Sequence, residues 1–214
     1  MRLVVDSTIS YSYYANNLQI DPLMGCSREL ITIIGQISQL ANSFSTTSNN
    51  ESFQQLLTVR HELSERLLCL HQRPAPGAQN TYHLILIAEG KRLAALLHPE
   101  ERTPRSLNSM SSASILISAI LEVVHALPTS NAAMLWPLFI IGTSASSTQE
   151  HRAFVLDRLG ELQRSRRLGS IYHARRMIAR RMSNQSIRRP NAEFLEYKPD
   201  HLPETENERW VSLA

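Results

Sequence analysis

The feature that most constrains this chain is a run of apolar residues at helical spacing. Leu30, Ile33, Ile34, Ile37, Leu40, Ala41 and Phe44 recur at i, i+3, i+4 and i+7 over about four turns. Such a stripe is stable only when covered, so the rest of the chain has to supply matching faces. It does so with the same period. Phe53, Leu56, Leu63, Leu67 and Leu70 mark a second helix, opened by SNNE at 48–51 as a capping box with Ser48 as N-cap and Glu51 at the third helical position. Tyr82, Ile85, Leu86, Leu93, Leu96 and Leu97 mark a third helix, from Thr81 to His98, ended by Pro99.

Leu116, Ile120, Val123 and Leu127 mark a fourth helix, closed by Pro128. NAAMLWPLFIIG is apolar on every face, which suits a helix in the middle of a core. STQE at 147–150 is a second capping box and opens a sixth helix with Phe154, Val155, Leu159 and Leu162, running to Gly169. Ser170 then caps a seventh, IYHARRMIARRM. Strand punctuation is missing: there is no Asn-Gly or Asp-Gly hairpin signal, alternating runs are few, and RPAPG at 73–77 reads as a loop. The expected fold is all-α, about seven helices packed as antiparallel pairs around the fourth and fifth. Residues 1–20 are a lead-in, 21–182 the helical body, and 183–214 a polar, acidic tail.

Several function classes fall away. Two cysteines, Cys26 and Cys69, stand 43 positions apart, too few and too distant for a disulfide framework or a four-thiolate metal site. The histidines have no HxxxH or HExxH spacing, and no nucleophile elbow, phosphate loop or paired-carboxylate motif occurs. No enzyme is expected. The longest apolar reach is interrupted by Glu122, His125, Pro128 and Pro137, which argues against a membrane span and for an intracellular, soluble chain.

Charge is unevenly placed. The net value is +3, yet residues 151–190 hold 11 Arg against Asp157 and Glu161, whereas 191–214 hold Lys198 and Arg209 against six acids. Arg164, Arg166 and Arg167 gather at the end of the sixth helix, where cations complement the helix dipole. Arg175, Arg176, Arg180 and Arg181 repeat along the seventh, with Ile171, Ala174, Met177 and Ile178 expected to face the core. A plain solvated face is the simpler explanation of such a run. The alternative is a helical adaptor that meets nucleic acid or acidic partners through residues 164–189.

Two further motifs have structural explanations. Leu93, Leu96 and Leu97 fit LxxLL, a groove-docking pattern, but the same residues complete the third helix's own stripe. Cys26 lies beside a helix start, where a thiol can be activated. A nucleophile needs a base, none stands at a fixed spacing, and free cysteine is commonly a small buried packing residue.

Four blocks in order carry a resemblance: DPLMGCSRELITIIGQISQLA at 21–41, AEGKRLAALL at 88–97, LPTSNAAMLWPLFIIG at 127–142, and EHRAFVLDRLGELQRSRRLGSIYHARRMI at 150–178. Together they resemble the fungal-specific transcription factor domain, the helical regulatory region of zinc-cluster transcription factors. The resemblance implies one helical regulatory domain, a nuclear location, a role in RNA polymerase II transcription, and protein partners in the transcription machinery. It implies a signature of structural residues: Asp21, Pro22, Gly25, Cys26, Trp136 and Pro137. Zinc belongs to an N-terminal binuclear cluster of six thiolates, which two cysteines cannot form, so no cofactor is expected in this chain. DNA is expected to be read only through a missing upstream module. No membrane contact is implied, and nothing in the sequence fixes an oligomeric state.

Overall fold

The computed structural model describes residues 16–46, 49–102, 109–166 and 168–187. Among these, seven α-helices follow one another: α1 (Arg28–Thr46), α2 (Asn50–Leu68), α3 (Thr81–Arg102), α4 (Ser109–His125), α5 (Leu135–Thr143), α6 (Gln149–Ser165) and α7 (Gly169–Ile187). A 3-10 turn at Ala132–Met134 leads into α5. The all-α expectation is borne out, with one addition. Strands β1 (Gln19–Asp21), β2 (Cys26–Ser27) and β3 (Arg73–Pro74) form a sheet in the order β2-β1-β3. β1 pairs antiparallel with β2 through Ile20 and Ser27, and parallel with β3 through Ile20 and Pro74.

The expected lead-in thus ends in a strand, and RPAPG begins with one. Segments of two or three residues cannot show alternation; burial holds them in place. Ile20 packs with Leu84 and Ala88 of α3. Residues 1–15 of the lead-in and 188–214 of the tail lie outside the described residues, and α7 continues to Ile187, past the expected boundary at 182.

Helix ends show where local chemistry departs from pattern. The Ser27 hydroxyl accepts from Leu30 N at 3.3 Å and so caps α1. At α2 the cap is Asn49, whose side chain accepts from Glu51 N at 3.1 Å; the expected Ser48 lies outside the described residues. α3 does not stop before Pro99 but runs through it to Arg102. The Pro99 ring is buried there, and near a helix end a proline forgoes one backbone bond rather than a whole turn. α6 is capped by Thr148, not Ser147: Thr148 Oγ1 accepts from His151 N at 3.1 Å, and His151 Nδ1 accepts from Thr148 N at 3.3 Å. Ser147 instead turns inward, its hydroxyl donating to Ile141 O at 2.6 Å. Gly169 does not end α6, which stops at Ser165, but opens α7, so Ser170 lies within the helix instead of capping it.

Packing centres on α3, not on the fourth and fifth helices as expected. α3 touches α1, α2, α4, α5, the 3-10 turn and all three strands. It supplies Ala95 and Leu96 to a cluster with Leu30, Ile33, Ile37, Leu63 and Leu67. Ile87, Ala94 and Leu97 go to a second, larger cluster with Ile117, Ile120, Leu138, Ile141, Val155, Leu159 and Ile178. Fully burying one such side chain stabilises the fold by roughly 1.5–3 kcal/mol. Tyr82 and Ile85, expected on the buried stripe, are 66% and 44% exposed. Small residues take their place: Ala88, Gly90, Ala94 and Ala95 let neighbours approach, and a Cβ on Gly90 would sit 2.7 Å from Met134 Cε. Leu97 is fully buried, Leu96 nearly so, and half-buried Leu93 packs against the larger cluster, so the LxxLL residues are spent on the domain's own core.

Candidate functional site

The first block of the sequence folds as a stapled hairpin. Asp21 Oδ1 accepts from Leu23 N at 2.8 Å and Met24 N at 3.1 Å, so the carboxylate shapes the turn that Pro22 begins. Gly25 N donates to Asp21 O at 2.7 Å. Gly25 has φ +65°, and a Cβ there would stand 2.6 Å from Ile87 Cγ2 and 3.6 Å from Ala133 Cβ. Only glycine meets both demands without strain. The turn is therefore wedged between α3 and the 3-10 turn.

Two polar side chains fix it from below. Lys91 Nζ donates to Met24 O at 2.5 Å. Gln72 Oε1 accepts from Ser27 N at 2.8 Å, and Gln72 Nε2 donates to Ala88 O at 2.9 Å. Cys26 lies 2% exposed in the cluster of Leu30 and Ile33. Burial pushes its thiol above the ordinary value, with the Lys91 ammonium pulling down and the Asp21 carboxylate adding to the rise. Burial likewise lowers Lys91, against the pull of Cys26. A thiol held protonated and out of water is a packing group, not a nucleophile.

Trp136 and Pro137 sit at the start of α5. Pro137 is buried, and half-buried Trp136 packs against both large clusters and meets His98 edge-on, ring centroids 6.4 Å apart. This signature pair lies at the seam between the two halves of the core.

The arginines divide into two groups. Arg152, 4% exposed, donates from Nη2 to Ser144 O at 2.6 Å and from Nε to Gly142 O at 3.3 Å. Arg158 Nη2 donates to Leu127 O at 2.6 Å and Val124 O at 3.0 Å, while its Nη1 lies 3.7 Å from Glu161. Arg92 Nη1 donates to Leu67 O at 2.9 Å and pairs with Glu89 at 2.7 Å; that bond and charge raise its pKa. Each guanidinium adds a donor to carbonyls at the end of another helix: α5, α4 and α2 respectively. Those carbonyls lie past the regular helical ladder, at the negative end of the dipole, and three of them also accept a backbone N–H of the residues that follow: Leu67 O from Leu70 N, Val124 O from Leu127 N and Ser144 O from Ser147 N. Sequence reading passed over all three. The signal was position, since Arg152 and Arg158 stand at i−3 and i+3 from buried Val155.

Of the seven arginines proposed from sequence, Arg181 joins this group by donating to Thr143 O. Arg175 is half-buried and donates to Gln163 Oε1 at 2.6 Å. Arg164, Arg166, Arg176 and Arg180 are exposed, and Arg167 lies outside the described residues. Met177, expected in the core, is 43% exposed, because α7 buries only the narrow line Ile171, Ala174 and Ile178.

The fold brings Arg164 and Arg175 together. A Cβ placed on Gly160 would be 3.9 Å from Arg164 Nη1 and 3.9 Å from Arg175 Nη2, so the two guanidiniums lie within twice that distance of each other over a bare stretch of α6. Arg166 lies elsewhere, lining a shallow cleft of about 410 Å³ together with Leu23, Pro128, Ser130, Asn131, Ala132 and Ala133. That cleft joins the hairpin tip to the loop before α5. Among the described residues no group of three or more His, Cys, Asp or Glu could hold a metal, and no helix is long and apolar enough to cross a membrane.

The chain has been compared with known proteins. The family model described as the fungal specific transcription factor domain matches residues 4–180. No curated protein and no solved structure matches.

Proposed function

The chain belongs to the fungal specific transcription factor domain family, a family of transcription factors and not of enzymes, and from that premise we propose that it is the regulatory domain of a zinc-cluster factor acting on RNA polymerase II transcription. The observation that carries the reading is the extent of the match, residues 4–180, which takes in all seven helices up to the middle of α7. Its mechanism is protein contact from a helical body. DNA is read by a zinc cluster outside these residues, since six thiolates are needed and the chain has two cysteines. Work in the nucleus follows from that role, with partners drawn from the transcription machinery and no cofactor held by this chain. The lead-in, the helical body and the acidic tail divide the labour, with the body as the presenting surface.

Tethering tests this directly. Fused to an unrelated DNA-binding domain, the full chain is expected to change expression of a reporter bearing that domain's site by several-fold over the DNA-binding domain alone. Unchanged expression, with the fusion present in the nucleus, overturns the reading.

A second reading, a helical adaptor for nucleic acid or acidic partners, is favoured by one observation: Arg164 and Arg175 converge over Gly160. A duplex or acidic polymer bound there would dissociate steeply as salt rises, and changing the exposed α7 arginines to Gln would flatten the slope.

A further inference from the structure

Leu23 is 95% exposed at the tip of the hairpin, and the turn itself has no use for its side chain. Only its backbone takes part, Leu23 N donating to Asp21 Oδ1 at 2.8 Å, a bond open to any residue but proline. Gly25, Cys26 and Ser27, just beyond, are buried. One leucine in water is ordinary on a protein surface. This one stands on a backbone fixed by the carboxylate of Asp21 and forms part of the cleft of about 410 Å³ that it shares with Arg166.

The rest of that cleft is of two kinds. Pro128, Ala132 and Ala133 continue the apolar surface of Leu23. Arg166, Asn131 and Ser130 bring donors. Arg166 is exposed, with its backbone held at both ends: Arg166 N donates to Leu162 O at 2.8 Å, and Leu168 N donates to Arg166 O at 2.9 Å. Among the described residues its guanidinium has no hydrogen-bond or ion-pair partner, and no carboxylate lines the cleft. Asn131 Oδ1 accepts from Ala133 N at 3.1 Å, which orients the amide and leaves its NH2 group to donate.

This combination selects a ligand class. A bare inorganic anion would use the donors and leave Leu23 in water. A hydrocarbon would cover Leu23 and strip water from an unpaired cation. A carboxylate carried on an apolar body answers both, and the arginine fork matches its two oxygens. The volume falls near the small end of the range for small-molecule sites, roughly 300–1,000 Å³.

We propose that this cleft binds a small organic acid, its carboxylate on Arg166 and its apolar body against Leu23 and Pro128. A ligand so placed touches the hairpin tip, the loop before α5 and the end of α6 at once, so its binding is coupled to how these three segments sit. The site goes beyond the transcriptional role and is tested apart from it, by binding to the purified chain.

The test is an NMR titration of the isotope-labelled full chain, following the amides of Leu23, Asn131, Ala132 and Arg166. The probes are phenylacetate, its neutral amide phenylacetamide, acetate, and a tetra-alanyl-phenylalanine peptide with a free C-terminus. Phenylacetate is expected to shift these amides with a Kd on the order of 1 mM, as suits so small a ligand in an open site. Phenylacetamide and acetate are expected to bind about tenfold more weakly, each lacking one half of the contact. Arg166→Gln is expected to weaken phenylacetate about tenfold and leave phenylacetamide unchanged, whereas Leu23→Ser weakens both severalfold. Both positions are exposed, and spectra that otherwise superimpose on wild type show that the variants fold. Equal binding of acid and amide, or wild-type affinity of Arg166→Gln for phenylacetate, overturns the proposal. So does the absence of shifts at these amides up to about 20 mM phenylacetate. Tighter binding of the peptide than of phenylacetate overturns the small-acid assignment and gives the cleft to a protein C-terminus.

Discussion

The body of α6 and its far end use the same residue type for opposite purposes. In its first turn and at its middle, Arg152 and Arg158 direct their donors into carbonyls at the ends of α5 and α4. At its far end, Arg164 stands in water beside Arg175, over Gly160. The side chains are chemically identical. What differs is whether another helix stops nearby with its last carbonyls past the regular ladder, because those groups must find donors somewhere. A basic segment is therefore two things at once: a set of internal caps and a surface. Counting arginines cannot separate them; locating helix ends can.

The largest expected effect tests the internal half of this comparison. Arg152→Met keeps the stem and removes the donors, leaving Gly142 O and Ser144 O without them in a buried site. It is expected to cost ~3 kcal/mol in urea unfolding, the range for buried groups deprived of a charged partner. A loss under ~1 kcal/mol would mean that these carbonyls reach water. Gly25→Ala comes next, at ~2 kcal/mol, because the new Cβ meets Ile87 and the left-handed backbone is strained at once.

Cysteine chemistry repeats the contrast between inside and outside. Iodoacetamide is expected to modify exposed Cys69 in the native state and Cys26 only on unfolding; equal rates, read by peptide mass, would remove the buried assignment. Burial holds Cys26 above its ordinary 9.0, so just above pH 9 the folded chain keeps a proton the unfolded chain has lost. That stability is complete below pH 9 and is lost as pH rises through the folded-state value. Lys91 runs the other way: lowered from 10.5, it favours folding as pH climbs toward that figure. Cys26→Ala removes the first effect and keeps the second. Its stability relative to wild type is expected to rise between about pH 8 and about pH 10 in paired urea titrations. A flat difference would mean that Cys26 ionises alike in both states.

The smallest effect belongs to the surface half. Arg164→Gln with Arg176→Gln is expected to change stability by less than ~0.5 kcal/mol while altering what the face binds. A larger loss would move these residues into the internal group.

Periodicity made α1 legible because its buried residues are large and its other face is polar: Leu30, Ile33, Ile37 and Leu40 are all inside. It misread α3, where burial on several sides is achieved with Ala88, Gly90, Ala94 and Ala95, residues too small to register as a stripe. Tyr82 and Ile85 fall on the periodic stripe with Leu86, Leu93, Leu96 and Leu97, yet are exposed. The sheet was invisible because Gln19–Asp21 and Arg73–Pro74 are strands only through their contact with each other and with α3. At the arginine face, Arg164 and Arg176 were read as surface groups and are exposed; that Arg175 and Arg181 turn back to Gln163 and Thr143 depended on how α7 lies against its neighbours, which no local pattern records.

The position of α3 has a consequence for how the molecule comes apart. One helix is a wall of all three clusters, so neither the α1–α2 side nor the α4–α7 side can melt without stripping α3 of much of its cover. The cooperative unit is then larger than any one cluster, and amides near Ala94 and Ala95 should open only with global unfolding. A push on the hairpin at Gly25 meets the same rigid element that floors α4 and α5. Force applied at the hairpin turn is thereby felt on the far side of α3, without any hinge between them.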